Sequence, residues 1–263
     1  MTILLATVPR LLHFSKATPL TLRSFRLFSI STSEGMTDLL STLRKLDTAC
    51  LCDADKSIDR TSEYQPLSLL EGLRPLASGN TVAGVARTIQ FSEPNDFLAV
   101  LDGLADAQED DVLVVNTLDS NRAVAGELFC ADSARRGVQA IIVDGPMRDT
   151  KYLPEFPTVR CWSKSVTPYS GTVNILGETQ VEVNCGGARV KPNDIIVGDD
   201  DGIICARAET FAAIIPLARE IQAAEERIRK AVTEEGKSLH SMTNYTEHVE
   251  AIRNGQTSSL RFL

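Results

Sequence analysis

Gly126-Glu-Leu-Phe-Cys-Ala-Asp-Ser-Ala-Arg-Arg-Gly137, then Ala140-Ile-Ile-Val-Asp144, then Arg148-Asp149, is the stretch that decides the fold. The first segment carries its apolar residues at helical spacing and stops on Gly137, a residue that readily closes a helix in the left-handed conformation. The second is a short β-branched run that reads as a strand. Upstream, Val-Leu-Val-Val-Asn at residues 112–116 reads as another strand. Strand, helix, strand in this order predicts a parallel α/β unit. A helix of about 11 residues descends roughly 16 Å, and a strand of about 5 residues climbs roughly 16 Å back. Arg148 and Asp149 are therefore expected beside the start of the helix, next to Glu127, although twenty residues separate Glu127 from Arg148.

That return has chemical meaning. In parallel α/β units ligands sit outside the carboxyl ends of the strands, where a helix N-terminus offers unpaired N–H groups to an anion. Two carboxylates, Glu127 and Asp149, with one guanidinium, Arg148, suit a metal ion holding a carboxylate substrate. The plainer reading makes Arg148 and Asp149 a solvated turn and Glu127 a first-turn residue favoured by the helix dipole.

Composition narrows the choice. The chain has 263 residues, 43% hydrophobic and 24% charged, enough for one sizeable core. Its net charge of −8 argues against a nucleic-acid surface, which needs a basic patch. The only histidines are His13, His240 and His248, so residues 14–239 contain none. That removes the general base of a Ser-His-Asp or Cys-His hydrolase and also histidine-ligated zinc or iron. There is no GxGxxG after a strand and no P-loop lysine, so nothing points to NAD or ATP. The six cysteines have no zinc spacing and are expected to be reduced and structural.

Three regions follow. Residues 1–35 hold Arg10, Lys16, Arg23 and Arg26 but no acidic residue before Glu34, the composition of an organellar transit peptide. This predicts a mitochondrial location, with a tail on a cytoplasmic protein as the other reading. Residues 36–237 form one domain. It is expected to contain a helix at 36–46 capped by Thr37 or Asp38, a strand at 81–91, a helix at 95–107 and short strands at 181–184, 194–197 and 202–205. Asp199-Asp-Asp-Gly202 reads as a hairpin turn rather than a calcium loop. A long amphipathic helix at 210–233 closes the domain. Residues 238–263 are expected to be a loose polar tail.

Residues 125–129 and 136–149, together with the later run Val183-Asn-Cys-Gly-Gly-Ala-Arg-Val-Lys-Pro-Asn-Asp194 continuing to Gly202, resemble the two signature blocks of the RraA-like family. Asp47-Thr-Ala-Cys-Leu-Cys-Asp-Ala54 resembles its early element, in which Asp53 is a pocket candidate, with a cap or turn as the favoured reading. The resemblance implies a single α/β domain of the swivelling β/β/α type with a C-terminal helix. It implies a metal-dependent (class II) aldolase or decarboxylase acting on a short 2-oxo acid, such as 4-hydroxy-4-methyl-2-oxoglutarate or oxaloacetate, through a pyruvate enolate. It also implies a homotrimer or dimer of trimers, with Glu225 or Glu226 reaching toward a neighbouring subunit.

With no histidine in residues 14–239, a hard cation with oxygen ligands is the metal this chain suits, Mg²⁺ or Mn²⁺. Asp149 is the expected ligand, Glu127 a second carboxylate acting through metal-bound water, and Arg148 the group that stabilises the enolate. Gly126, Glu127, Leu128 and Phe129 are expected to hold the substrate carboxylate with backbone N–H groups. Two departures stand out. Glu127 occupies a position where the family commonly has Asp, and Tyr152 one where many members are acidic. The alternatives are a non-catalytic interaction protein of the ribonuclease-regulating branch, and a lyase for a larger acid. A Schiff-base lysine would have to be Lys151, which lacks an apolar setting.

Overall fold

The structure is a computed structural model that describes residues 32–58 and 63–262. The transit-like segment lies outside the described residues up to position 31. The chain runs α1 (Ser33–Leu43), α2 (Thr48–Ser57), β1 (Ser68–Leu69), β2 (Arg74–Pro75), β3 (Val82–Gln90), α3 (Leu98–Ala105), β4 (Asp111–Asn116), α4 (Glu127–Arg136) and β5 (Ala140–Met147). Then come β6 (Arg160–Val166), β7 (Glu178–Thr179), β8 (Val183–Cys185), β9 (Ala188–Val190), β10 (Ile195–Gly198), β11 (Ile203–Ala206), α5 (Ala208–Thr233) and α6 (Tyr245–Arg253).

The main sheet has the order β1-β11-β10-β3-β4-β5-β6-β2, and β7 pairs with the far end of β3. Its centre, β3 to β6, is parallel, and its flanks are antiparallel. A parallel strand covered on both sides has no solvent face to give to polar residues. Accordingly Ala140 to Met147 are buried without interruption, and the apolar run of β4 is continuous.

Two helix groups cover one face. Leu40, Leu43 and Leu51 of α1 and α2 pack with Phe211 and Ile214 of α5 against Ile195 and Val197. Val100, Leu104 and Cys130 of α3 and α4 pack against Ile89, Leu113, Val115, Ile141 and Val143. On the opposite face the small β8–β9 hairpin lays Val183, Cys185 and Val190 over Val112, Val114, Ile142 and the fully buried Trp162. The period-two alternation of β3, with Ala83 and Ile89 toward the helices and Val82 and Ala86 toward the hairpin, separates these cores.

The α/β unit forms as the sequence implies, with different lengths. α4 has Gly126 as its N-cap and Gly137 at φ 77° as its left-handed stop. β5 runs eight residues instead of five, with a register shift between Val143 and Pro146. The helix descends about 15 Å. The connection at 137–139 adds roughly 10 Å, and the longer strand climbs about 26 Å. The return still closes because the connection offsets the extra strand.

Other boundaries move for local reasons. Thr32, not Thr37 or Asp38, caps α1, accepting from Gly35 N–H at 3.2 Å, while the Thr37 hydroxyl donates to Ser33 O. α3 begins at Leu98 rather than 95, because Asn95 sits at φ 70°. The tail is not wholly loose, since α6 forms within it. The turn after β10 is a hairpin turn, as expected, closed by Asp199 N–H donating to Gly202 O at 3.0 Å. No helix among the described residues is long and apolar enough to cross a membrane.

Asp199 also ties that turn to α2. Its carboxylate accepts from Thr48 N–H at 2.7 Å and from the Thr48 hydroxyl at 2.8 Å, all within a buried contact. Asp199→Ala strands both donors. The expected loss is about 1–3 kcal/mol in urea unfolding, against a change near zero for the exposed Asp201→Ala.

Candidate active site

Beyond the regular register of the sheet, the two arms of the α/β unit continue side by side. Val124 N–H donates to Pro146 O at 3.2 Å, and Arg148 N–H donates to Ala125 O at 3.1 Å. This closure brings the residues after β5 to the start of α4. Between them lies a narrow cleft of about 40 Å³. Residues 123–126, Leu128 and Phe129 line it on the helix side, Arg148 and Asp149 on the strand side, and Phe97 and Ser170 opposite.

Asp149 has φ 60°, a left-handed conformation that Asp tolerates better than most residues. That turn folds its carboxylate against Gly126. A Cβ on Gly126 would stand 2.5 Å from Asp149 Oδ2 and 3.0 Å from Arg148 Cγ, so the approach requires glycine. Arg148 Nε lies 3.2 Å from Asp149 Oδ2, with side chains 40% and 34% exposed. A pair so exposed adds little to stability, and both groups remain open to a ligand.

The helix start supplies donors. Phe129 N–H and Cys130 N–H turn back to Gly126 O, at 3.1 Å each. Glu127 N–H and Leu128 N–H have no acceptor among the described residues. These two open donors at the positive end of α4 are suited to an anion. Phe129 meets Phe97 edge to face, with centroids 5.9 Å apart, and makes an apolar wall.

The structure thus brings Gly126, Leu128, Phe129, Arg148 and Asp149 together around one cleft. Glu127 begins the helix between two lining residues, but its side chain is not part of the lining. Asp53 is not part of the cleft lining; it lies on α2, where it pairs with Lys56 at 3.2 Å. Asp53 lies inside α2 and is neither the cap nor the turn residue expected; the capping role falls to Asp47, which accepts from Cys50 N–H. Tyr152 is 39% exposed outside the lining, under the Lys151 ammonium at 5.4 Å. Glu225 accepts from the Cys50 thiol of its own chain at 3.4 Å.

Sequence reasoning missed the far wall. Asn95, Asp96 and Phe97 were absorbed into a helix that starts only at Leu98. The signal was present as Pro94-Asn-Asp96, a turn sequence. Burial favours a neutral Asp96, but hydrogen bonds from Asn174 N–H, the Thr172 hydroxyl and Leu98 N–H outweigh it and hold the carboxyl below its ordinary range.

Comparison with known proteins bears on the family and the fold. The model of the RraA-like family, described as Aldolase/RraA, matches residues 48–205. A protein of Halalkalibacterium halodurans, named "Putative 4-hydroxy-4-methyl-2-oxoglutarate aldolase", is 28% identical over 205 residues, covering 77% of this chain and 92% of its own. An uncharacterized protein of Methanocaldococcus jannaschii is 32% identical over 180 residues, covering 66% of this chain and 84% of its own. The crystal structure of Streptomyces coelicolor RraAS2, described as an unusual member of the RNase ES inhibitor RraA family, superposes with a TM-score of 0.61 at 29% identity. It covers 73% of this chain and 96% of that one. With a family match across more than half of its length and the same fold in a solved relative, the chain belongs to the RraA-like family.

Proposed function

We propose that this protein is a divalent-metal-dependent lyase that cleaves a carbon–carbon bond of a short 2-oxo acid and yields pyruvate. The observation that carries the reading is the Arg148–Asp149 pair held against two open N–H groups of α4 in one narrow cleft. Relatives named for 4-hydroxy-4-methyl-2-oxoglutarate cleavage support the same class.

Among the described residues no three His, Cys, Asp or Glu side chains form a ready-made metal cage. The donors present suit Mg²⁺ or Mn²⁺ instead, because such a cation binds through one or two carboxylates and keeps several waters. Asp149, one-third exposed and seated where Gly126 leaves room for it, is the residue that would hold it. When bound, the cation supplies Lewis-acid polarisation of the 2-keto group.

The chain's own residues do the rest. Glu127 N–H and Leu128 N–H bind the substrate carboxylate and fix its orientation. When the C3–C4 bond breaks, its electron pair moves to C3 and onto the keto oxygen, where the Arg148 guanidinium stabilises the charge. The proton leaving the C4 hydroxyl passes through water toward Glu127, the second carboxylate at the helix start. Returned through water from Glu127 to C3, a proton then completes pyruvate and restores the Glu127 carboxylate. Oxaloacetate loses CO₂ through the same charge distribution, so one site serves both reactions. Leu128, which lines the cleft, is 75% exposed, and Tyr169, next in sequence to the lining residue Ser170, is 67% exposed, so apolar surface lies open at the cleft. This supports a subunit interface there, as in a homotrimer.

The interaction-protein reading draws on the likeness to RraAS2 and requires partner binding that ignores the cleft. Pyruvate release separates the two. Arg148→Ala is expected to lower kcat by on the order of 10²–10³-fold, and Asp149→Ala to abolish the metal-dependent rate. Lys151→Ala is expected to keep it. Gly126→Ala, which pushes the Asp149 carboxylate aside, is expected to cost about 10²-fold with the far-ultraviolet circular dichroism unchanged.

A further inference from the structure

Two loops contribute to the cleft alongside Phe97, the first through Ala123 and the second through Ser170. One is the approach to α4 at 120–123, and the other is the run at 169–175 that contributes Ser170. Neither loop belongs to a strand, yet both are tied to consecutive residues, Asn95 and Asp96.

Asn95 serves the first loop. Its Oδ1 accepts from the Ser120 hydroxyl at 2.8 Å, from Asn121 N–H at 2.9 Å and from Arg122 N–H at 3.1 Å. Its left-handed backbone, φ 70°, aims that amide across the gap. Asp96 serves the second loop. It is 4% exposed, and its carboxylate accepts from the Thr172 hydroxyl at 2.7 Å and from Asn174 N–H at 2.7 Å. The backbone adds Thr172 N–H to Asn95 O and Phe97 N–H to Thr172 O, both at 2.8 Å. Gly171 passes so close that a Cβ there would stand 2.1 Å from Asn95 O.

The loops are also joined to each other. Ala123 N–H donates to Tyr169 O at 2.8 Å, Gly171 N–H donates to Ala123 O at 3.1 Å, and the Arg122 guanidinium lies 4.8 Å over the Tyr169 ring. Phe97, the next residue along, is itself cleft wall. An isolated exposed turn does not need a buried carboxylate with this many donors, because water would satisfy the same N–H groups.

We propose that Asn95 and Asp96 are positioning residues of the active site, setting the distance between the Phe97–Ser170 wall and the Arg148–Asp149 wall. The proposal rests on the lyase reading for its catalytic meaning, and on the hydrogen bonds alone for the tether. Asn95 and Asp96 touch no reacting atom in this scheme; they hold the groups that bound the substrate.

The test uses the full chain with Asp96→Asn, Thr172→Val, Thr172→Ser and Ser120→Ala, and reads three quantities. These are hydrogen exchange of the two loops, KM and kcat for oxaloacetate with Mg²⁺, and Kd for pyruvate as a probe that needs no turnover. The expected result is faster exchange at 170–175 in Thr172→Val and at 120–122 in Ser120→Ala, with β4 and α4 protected as before. KM and the pyruvate Kd rise on the order of tenfold in Thr172→Val, the equivalent of one hydrogen bond to a charged group, while kcat moves less. Thr172→Ser, which keeps the hydroxyl, restores both. Unchanged loop exchange in Thr172→Val and Asp96→Asn overturns the tether. Faster exchange with unchanged KM and Kd, or a fall in melting temperature with kcat reduced and KM untouched, overturns the positioning role and leaves a structural one. A wild type that neither turns over nor binds pyruvate removes the lyase reading and with it the positioning role, while the exchange data still decide the tether.

Discussion

The Arg148 N–H to Ala125 O hydrogen bond is the contact on which the site depends. With the neighbouring Val124 N–H to Pro146 O bond, it joins the chain just before α4 to the end of β5 and the residues after it, two points separated in sequence by the length of a helix and a strand. With it in place, the guanidinium and carboxylate that follow β5 meet the open end of the helix. Without it, Arg148 and Asp149 would be a solvated turn and the donors of Glu127 and Leu128 would face water. The bond is weak by itself, roughly 1 kcal/mol. It is reinforced by the parallel pairing of β4 with β5 and by Gly126, whose missing side chain lets the carboxylate approach the backbone.

Much of this was legible in the sequence because the signals were local and strong. A helix bounded by Gly126 and Gly137 and two β-branched runs leave few alternatives to a parallel unit, and the return of Arg148 follows from element lengths. The strand length itself was underestimated. Gly145 and Pro146 look like a strand stop, whereas the structure carries them inside β5 by a register shift, burying both. Burial in a parallel sheet overrode turn propensity there.

The far wall was not legible. Asn95 and Asp96 precede an apolar helix and so read as its first turn. Their true role depends on partners 25 to 78 residues away, from Ser120 to Asn174. No periodicity announces a contact of that separation. α1 shows a smaller version of the same limit: Thr32 and Thr37 are equivalent candidates for a cap by residue type, and only the upstream extension of the helix chooses between them. Glu127 lies on the other side of the account. Its position at the helix start was predictable, but its side chain is not among the groups that line the cleft.

The central claim is that the cleft generates pyruvate from a short 2-oxo acid with the help of a cation held by Asp149. The most direct measurement is pyruvate release by the full chain from oxaloacetate and from 4-hydroxy-4-methyl-2-oxoglutarate, first with Mg²⁺ and then after EDTA. The account predicts release from at least one of them that EDTA abolishes and added Mg²⁺ restores. Folded protein that releases pyruvate from neither, or that releases it equally well in EDTA, would contradict it.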